Sequence, residues 1–567
     1  MKKESNRTKS PASRNWRQKI AGLGIILIAF LIIFVLASFL WQKLFFREQV
    51  ARFLPYDRTV GFLEFNFDPN HPDSEILKSI LEKSPLMNGL KVEENLFSLI
   101  PQQELFWKWF GGRGGLALIT SANGQSISPV LILKSQDETN LRSWLKSQQL
   151  NSNLEQLLEE DYYGQKLITL HSGPGYSVLL SDGYVVLSEN QELLQAVAEA
   201  KAGHTVSLAG HPEYGQVYSA LPQQNLAFIY FNIHNTLSTL THTPAYLSRN
   251  LAGFQLYLPF LKLFKAYGLA LYLDKDHQNQ PVFTAKELIL FGDKPDANLF
   301  KIDYSFDGSL TAFLPQYNQT IALFGGVNLL DQKNQLSAFL KNQTIIYDLL
   351  FTGTLSQIRD QLFDNSVNFD QDFLPLFQGQ YLISINQASP DAEPIYSLVL
   401  ESKNPQADQL KLTVLLEKIG TKIAANLNAQ KAKITLPDKT EGQEIKAESF
   451  AISNSTISLN GKSVTQIALA PNFSIYLATL EQHIIVSTNA DWLKAALDNA
   501  AQTSQSTSIN DWNQTDLVKP TEYYQFFLPA LQQWLPAIEY LQPFNRLEVT
   551  KKFTEIGTLA VYRFTIQ

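Results

Sequence analysis

The sequence predicts an α+β protein: two homologous halves with largely antiparallel sheets, set behind one N-terminal transmembrane helix. Three observations predict it. An uncharged apolar run occupies 20–41, strand-like runs of period two follow one another across short turns between helical stretches, and five blocks of sequence reappear in the same order later in the chain. At 567 residues the chain exceeds what one hydrophobic core usually fills. Its 45% hydrophobic, 12% aromatic and 17% charged residues are the composition of a folded protein, not a disordered one.

The N-terminal element comes first in chain order. Residues 1–19 hold Lys2, Lys3, Arg7, Lys9, Arg14, Arg17 and Lys19 against Glu4, a net charge of +6 that leaves −13 on the rest of a chain whose total is −7. Residues 20–41, IAGLGIILIAFLIIFVLASFLW, would reach about 33 Å as a helix, enough to cross a hydrocarbon core of about 30 Å. A cleaved signal peptide is the rival, with small residues at Val35-Leu36-Ala37. The apolar run continues through Phe39, Leu40 and Trp41, longer than a signal core needs. The basic tail then places the N-terminus in the cytoplasm and the rest of the chain outside it, as a single-pass plasma-membrane protein. An acidic outer domain is a poor partner for nucleic acid, whose phosphates require a basic footprint.

The remaining elements divide into halves at 53–300 and 301–567. Phe53-Leu54-Pro55 before GFLEFNF (61–67) returns as Phe313-Leu314-Pro315 before TIALFGGVN (320–328). GGLALIT (114–120) matches GQYLISI (379–385), and LILKS (131–135) matches LVLES (398–402). The segment at 177–197 matches that at 476–496, each a hairpin-like pair of alternating runs feeding an amphipathic helix, and Tyr267-Gly268 is paired with Ile556-Gly557. A polar stretch at 418–463 is extra in the second half and reads as an inserted hairpin or loop. Strands are expected at 166–171, 176–181, 184–188, 226–231, 266–273 and 282–291, and helices at 74–83, 138–148 and 190–201. Turns such as Ser181-Asp182-Gly183 are hairpin signals rather than crossover signals, which favours antiparallel pairing.

The opening Leu54-Pro55 with FLEFNFDP (62–69), WFGGRGGLAL (109–118) and YVVLSENQELLQAV (184–197), taken with the basic tail and apolar run, resembles an uncharacterised family of bacterial envelope proteins, one of the domains of unknown function. The resemblance implies a membrane-anchored cell-surface protein with an internal duplication. It brings no catalytic residue.

Chemistry is sparse. The absence of cysteine excludes disulfides, zinc fingers, iron-sulfur clusters, thiol nucleophiles and a lipoprotein anchor. Gly111-Gly112-Arg113-Gly114-Gly115 lacks the Gly-Lys-Ser/Thr end of a phosphate loop and reads as a tight structural turn. Asp274 to Gln280 has oxygen ligands at alternate positions but lacks the glycine and glutamate of a calcium loop, so it reads as a solvated hairpin tip, and Asp364, Asp370 and Asp372 as a polar loop. The eight histidines (71, 171, 204, 211, 234, 242, 277 and 483) form no metal-ligand spacing. His171-Ser172-Gly173-Pro174-Gly175 is a strand end, not a nucleophile elbow. Glu159, Glu160 and Asp161 read as the solvated end of a helix. The aromatic clusters Phe106, Trp107, Trp109, Phe110 and Tyr523, Tyr524, Phe526, Phe527 read as core. Asn318 and Asn454 lie in glycosylation sequons that nothing else in the sequence gives a use.

No catalytic residue, cofactor or metal site is therefore assigned. The expected role is a non-enzymatic protein that binds an envelope protein, a lipid or a glycan outside the membrane. The alternatives are an envelope hydrolase or transferase with an unrecognised carboxylate site, and a structural subunit of a surface assembly.

Overall fold

The computed structural model describes residues 50–66, 103–124, 126–149, 159–169, 177–242, 261–275, 279–292, 305–315, 320–340, 367–387, 389, 392–428, 431–435, 441–445, 451–502, 520–534, 541, 544–554 and 556–566. The basic tail at 1–19, the apolar run at 20–41 and the helix expected at 74–83 lie outside the described residues.

Strands dominate. The first ten are β1 (Thr59–Asn66), β2 (Phe110–Thr120), β3 (Ile127–Ser135), β4 (Glu159–Tyr162), β5 (Gln165–Thr169), β6 (Ser177–Ser181), β7 (Tyr184–Ser188), β8 (Ala227–Asn232), β9 (Phe264–Lys275) and β10 (Pro281–Phe291). Then come β11 (Thr320–Val327), β12 (Gln380–Asn386), β13 (Ile395–Glu401), β14 (Lys431–Thr435), β15 (Glu441–Ile445), β16 (Ser453–Leu459), β17 (Lys462–Ala470), β18 (Phe473–Leu480), β19 (His483–Ser487), β20 (Glu522–Phe527), β21 (Phe544–Phe553) and β22 (Gly557–Ile566). The helices include α1 (Gln103–Trp109), α2 (Glu138–Gln149), α3 (Gln191–Ala202), α4 (Pro212–Ala220), α5 (Ile233–His242), α6 (Leu329–Leu340), α7 (Pro405–Asn428), α8 (Ala490–Gln502) and α9 (Leu528–Trp534).

Followed through its hydrogen bonds, one sheet of 20 strands runs β4-β5-β6-β7-β3-β2-β1-β8-β9-β10-β22-β21-β20-β11-β12-β13-β19-β18-β17-β16, every neighbouring pair antiparallel. The first ten strands of that path and the last ten, read inward from each end, follow one pattern. They meet at β10 and β22, paired from Val282 opposite Thr565 to Leu290 opposite Gly557.

This corrects the expected fold class. In place of two α+β halves, the described residues form mostly one large antiparallel sheet with helices packed on it. Among the described residues no helix is long and apolar enough to cross a membrane. The physical reason for the continuous sheet is that a terminal strand exposes a row of unpaired N–H and C=O groups. Joining β10 to β22 satisfies both rows at once. Such a pairing links residues some 275 positions apart, which leaves no trace in local periodicity.

Several cores hold the helices to the sheet. On one face, Phe53 and Leu54 pack with Phe62, Ile119 and Ile132, with Leu193, Leu194 and Val197 of α3, and with Tyr214 and Val217 of α4. Each fully buried aliphatic or aromatic side chain there contributes about 1.5–3 kcal/mol. Another cluster under α1 and α2 joins Phe106, Trp109, Trp144 and Leu145 to Ile168, Val178 and Val185. In the later strands Phe313, Leu314, Leu323 and α8 residues Trp492, Leu493 and Leu497 form one core, and α7 covers Leu400, Ile467, Ile484 and Val486 in another.

The same local devices start the matching helices. Asn190 accepts a hydrogen bond from the Glu192 amide at the head of α3, and Asn489 accepts one from Trp492 at the head of α8. The polar stretch 418–463 contains the end of α7, the separate two-stranded sheet of β14 and β15, β16, and the turn into β17. Tyr267-Gly268 and Ile556-Gly557 do not occupy equivalent places: Gly268 is in β9, whose counterpart in the pairing order is β21, whereas Gly557 opens β22.

Candidate functional site

Two hairpin tips and two helix ends enclose a polar cavity of about 620 Å³ at the β4 to β7 end of the sheet. The β6–β7 tip is Asp182-Gly183, with φ of 47° and 75°, and the β4–β5 tip is Tyr163-Gly164, with φ of 53° and 74°. Both are two-residue turns with positive φ at both positions, the arrangement whose twist matches that of the strands they join. Ser135 at the end of β3 is tied to the first tip by its amide, which donates to the Gly183 carbonyl at 2.8 Å. From there the chain enters α2, started by Asp137, whose carboxylate accepts from the Asn140 amide at 3.0 Å. That hydrogen bond outweighs desolvation and holds the Asp137 carboxyl below its usual range.

Arg142, one turn into α2, sits 3.0 Å from Glu138 and 2.8 Å from Glu159 of β4. Lys166 of β5 lies 3.2 Å from the other oxygen of Glu159. Lys201, at the end of α3, is 2.8 Å from Asp182, and its ammonium stands 5.1 Å over the Phe53 ring. The Glu159 hydrogen bond, then that of Glu138, raises the Arg142 pKa and keeps the guanidinium charged. Burial pushes the Glu159 carboxyl up, but hydrogen bonds from Arg142 and Lys166 outweigh it and hold the group low. Tyr184, at the back of the cavity, is pushed up to about 12, by burial first, with Arg113 opposing and Glu64 adding.

Two polar atoms of the lining have no partner in the protein. Gln165 is 6% exposed; its amide nitrogen donates to the Ala198 carbonyl at 2.9 Å while its Oε1 is left unsatisfied. The Ser135 hydroxyl is buried and equally unpaired. A buried acceptor left bare costs on the order of 1–3 kcal/mol. Beside them the Tyr163 ring is 48% exposed, 4.4 Å from His204 and 4.7 Å from Tyr162.

The pairing order supplies an internal control. Counterparts of Arg142, Lys166 and Lys201 at the other end of the sheet are Gln409, Ser463 and Ala500, and the counterpart of Tyr163 is Asn460. Ser135 corresponds to Ser402, whose hydroxyl is occupied by Asp408 at 2.7 Å. Gln165 corresponds to Lys462, which reaches the Leu497 carbonyl much as Gln165 reaches Ala198. The scaffold therefore stands without these charges and without a spare acceptor.

Of the residues weighed for chemistry in the sequence, Glu159 alone belongs to this constellation, beside the Asp182-Gly183 turn read as a hairpin; Glu159 lies on a strand, where the run Glu159 to Asp161 was expected to end a helix. The residues that sequence reasoning missed are Arg142, Tyr163, Gln165, Lys166 and Lys201. They come from four elements, so no spacing links them. The one available signal was Tyr163 before Gly164, where a two-residue hairpin ordinarily has asparagine, aspartate or glycine.

The other candidates are dispersed. Gly111 to Gly115 fall inside β2, where the pairing with β3 slips between Phe110 and Gly114 and Gly112 takes φ 72°, a bulge in place of the expected turn. Phe106, Trp109 and Phe110 are buried, Trp107 is exposed, and Tyr523 is buried. Asp370 pairs with Lys333 at 2.8 Å, and Asp372 accepts from the Asn368 amide. His211 caps α4 and His483 packs against Phe313. Asn454 reaches Glu417 at 2.8 Å. His71, His171 to Gly175, His277, Asn318 and Asp364 lie outside the described residues. Among the described residues no group of three or more His, Cys, Asp or Glu is placed to hold a metal ion.

No curated protein matches the chain. A solved structure described as "Structure of crystal form IV of TP0453" is 10% identical, over 41% of this chain and 80% of that one, with a TM-score of 0.21, and nothing about this chain follows from it. Residues 106–256, which include every residue lining the cavity, match the family of proteins of unknown function DUF3352.

Proposed function

We propose that the chain is a non-enzymatic binding protein and that the cavity between α2, α3 and the two hairpin tips is its ligand site. One observation carries the reading: Arg142, Lys166 and Lys201 gather around a polar cavity of about 620 Å³, where the matching places at the other end of the sheet have Gln409, Ser463 and Ala500. Against burial, hydrogen bonds from Arg142 and Lys166 hold the Glu159 carboxyl low, so this group is not set to act as a general acid.

Native mass spectrometry tests this. Protein isolated under gentle conditions is expected to retain a small non-covalent mass that is lost on denaturation. Arg142→Gln, which takes from Glu159 one of its two cation partners and unbalances the lining, is expected to lose that mass without unfolding the chain. A mass kept by the variant would place the ligand elsewhere, and a wild-type protein without added mass would remove the main support for the reading.

A further inference from the structure

We infer that β16 is an interface with a second copy of this chain: two β16 strands pair antiparallel about a two-fold axis at Thr456 and join their sheets edge to edge.

The sheet ends on β4 at one side and on β16 at the other. Among the described residues each pairs with one neighbour alone, β5 and β17. The unpaired N–H and C=O groups of such an edge are a template for another strand, so proteins guard their edges with charge, proline, bulges or short length. β4 is guarded, with four residues of which Glu159, Glu160 and Asp161 are carboxylates. β16 is not. Its seven residues, SNSTISL, carry no charge and no proline, their register with β17 runs without a bulge, and Ser453 to Thr456 are all exposed.

The ladder to β17 fixes which groups are open. Leu459 and Lys462 flank the two-residue turn Asn460-Gly461 and form a hydrogen-bonded pair, and such pairs recur at every second residue from there. The backbone groups of Asn454, Thr456 and Ser458 therefore point away from β17. An antiparallel copy centred on Thr456 sets Asn454 opposite Ser458 and Thr456 opposite its own image, so that each open N–H meets a C=O of the other strand. A two-fold interface requires this self-complementarity. No charge faces its like across the axis, and the central pair, Thr against Thr, is a favourable cross-strand pair. The same operation on β4 would bring carboxylates face to face. The molecule already joins strands from its two ends in this manner, where β10 and β22 pair antiparallel at the centre of the sheet.

Sedimentation of the full chain in detergent tests the inference. The wild type is expected to pass from monomer to dimer as its concentration rises. Thr456→Lys sets two ammonium groups opposite each other on the axis and costs β17 no hydrogen bond, so it is expected to weaken the dimer about tenfold or more at an unchanged melting temperature. Because the chain has no cysteine of its own, Thr456→Cys is expected to cross-link two copies on mild oxidation. Ser453→Cys is expected not to, because residue 453 lies about 20 Å from its own image in this register. A wild type that stays monomeric overturns the inference. A dimer that Thr456→Lys leaves intact overturns it too, by placing the contact elsewhere, and so does equal cross-linking of Thr456→Cys and Ser453→Cys.

Discussion

At the scale of single residues, His211 shows how protonation and folding are linked. Its Nδ1 accepts the Glu213 amide at 3.3 Å to cap α4, and its ring lies 3.3 Å from that of Tyr56 at an interplanar angle of 9°. An imidazolium has no free lone pair at Nδ1, so charging the ring removes the cap. Burial lowers its pKa below 6.5, with Glu213 opposing, and burial does the same for His483, against Glu401 and its neighbours. Because the folded values lie below the unfolded ones, these histidines contribute stability that is fully present above pH 6.5 and is lost as pH falls through the folded values. The melting temperature is expected to drop as the pH falls below about 6.5. His211→Asn keeps a good cap and is expected to flatten part of that dependence, as thermal denaturation at several pH values will show. An unchanged slope in the variant would assign the dependence to other groups.

At the scale of elements, the fit of α4 on the sheet depends on Gly268. A Cβ there would meet Val217 Cγ1 at 2.1 Å and Leu221 Cδ1 at 3.0 Å. Gly268→Ala is expected to cost about 1–3 kcal/mol in denaturant unfolding, the usual penalty for overpacking. Adding Val217→Ala makes room, so the double variant is expected to lose less than the sum of the single losses. Additive losses would show that α4 shifts away instead. Elements of this kind were partly legible. The Asp182-Gly183 hairpin, the strands flanking it and α3 with its Asn190 cap follow from local patterns, because turn chemistry and side-chain period are properties of adjacent residues. Glu159 to Asp161 were not legible as a strand, because β4 is a short edge whose exposed side chains carry no apolar alternation. The cavity was not legible either: its cations come from α2, β5 and α3, and only the folded sheet brings them together.

At the scale of the whole molecule, the junction of β10 and β22 decides whether the chain unfolds as one unit. Glu287 of β10 accepts from Tyr562 of β22 at 2.8 Å and from Tyr267 of β9 at 3.3 Å, and Arg563 reaches Asp274 at 3.2 Å. Burial first, and then Glu287, pushes Tyr267 up to about 12 and shifts Tyr562 the same way, so both phenols stay protonated donors at any ordinary pH. The most exacting point is Gly557, where a Cβ would meet the Ile289 carbonyl oxygen at 2.0 Å, a backbone atom that cannot rotate aside. Gly557→Ala must therefore push the start of β22 away from β10 and weaken the pairing from that end. Local unfolding on either side no longer needs the other once the shared strands part. The wild type is expected to unfold in one transition, with far-ultraviolet and aromatic circular dichroism coinciding, and Gly557→Ala to separate into two. A single shifted transition in the variant would mean that the cores under α3 and α8 are coupled by something other than this seam. Two transitions already present in the wild type would mean that the continuous sheet is two cooperative units despite its unbroken hydrogen bonding.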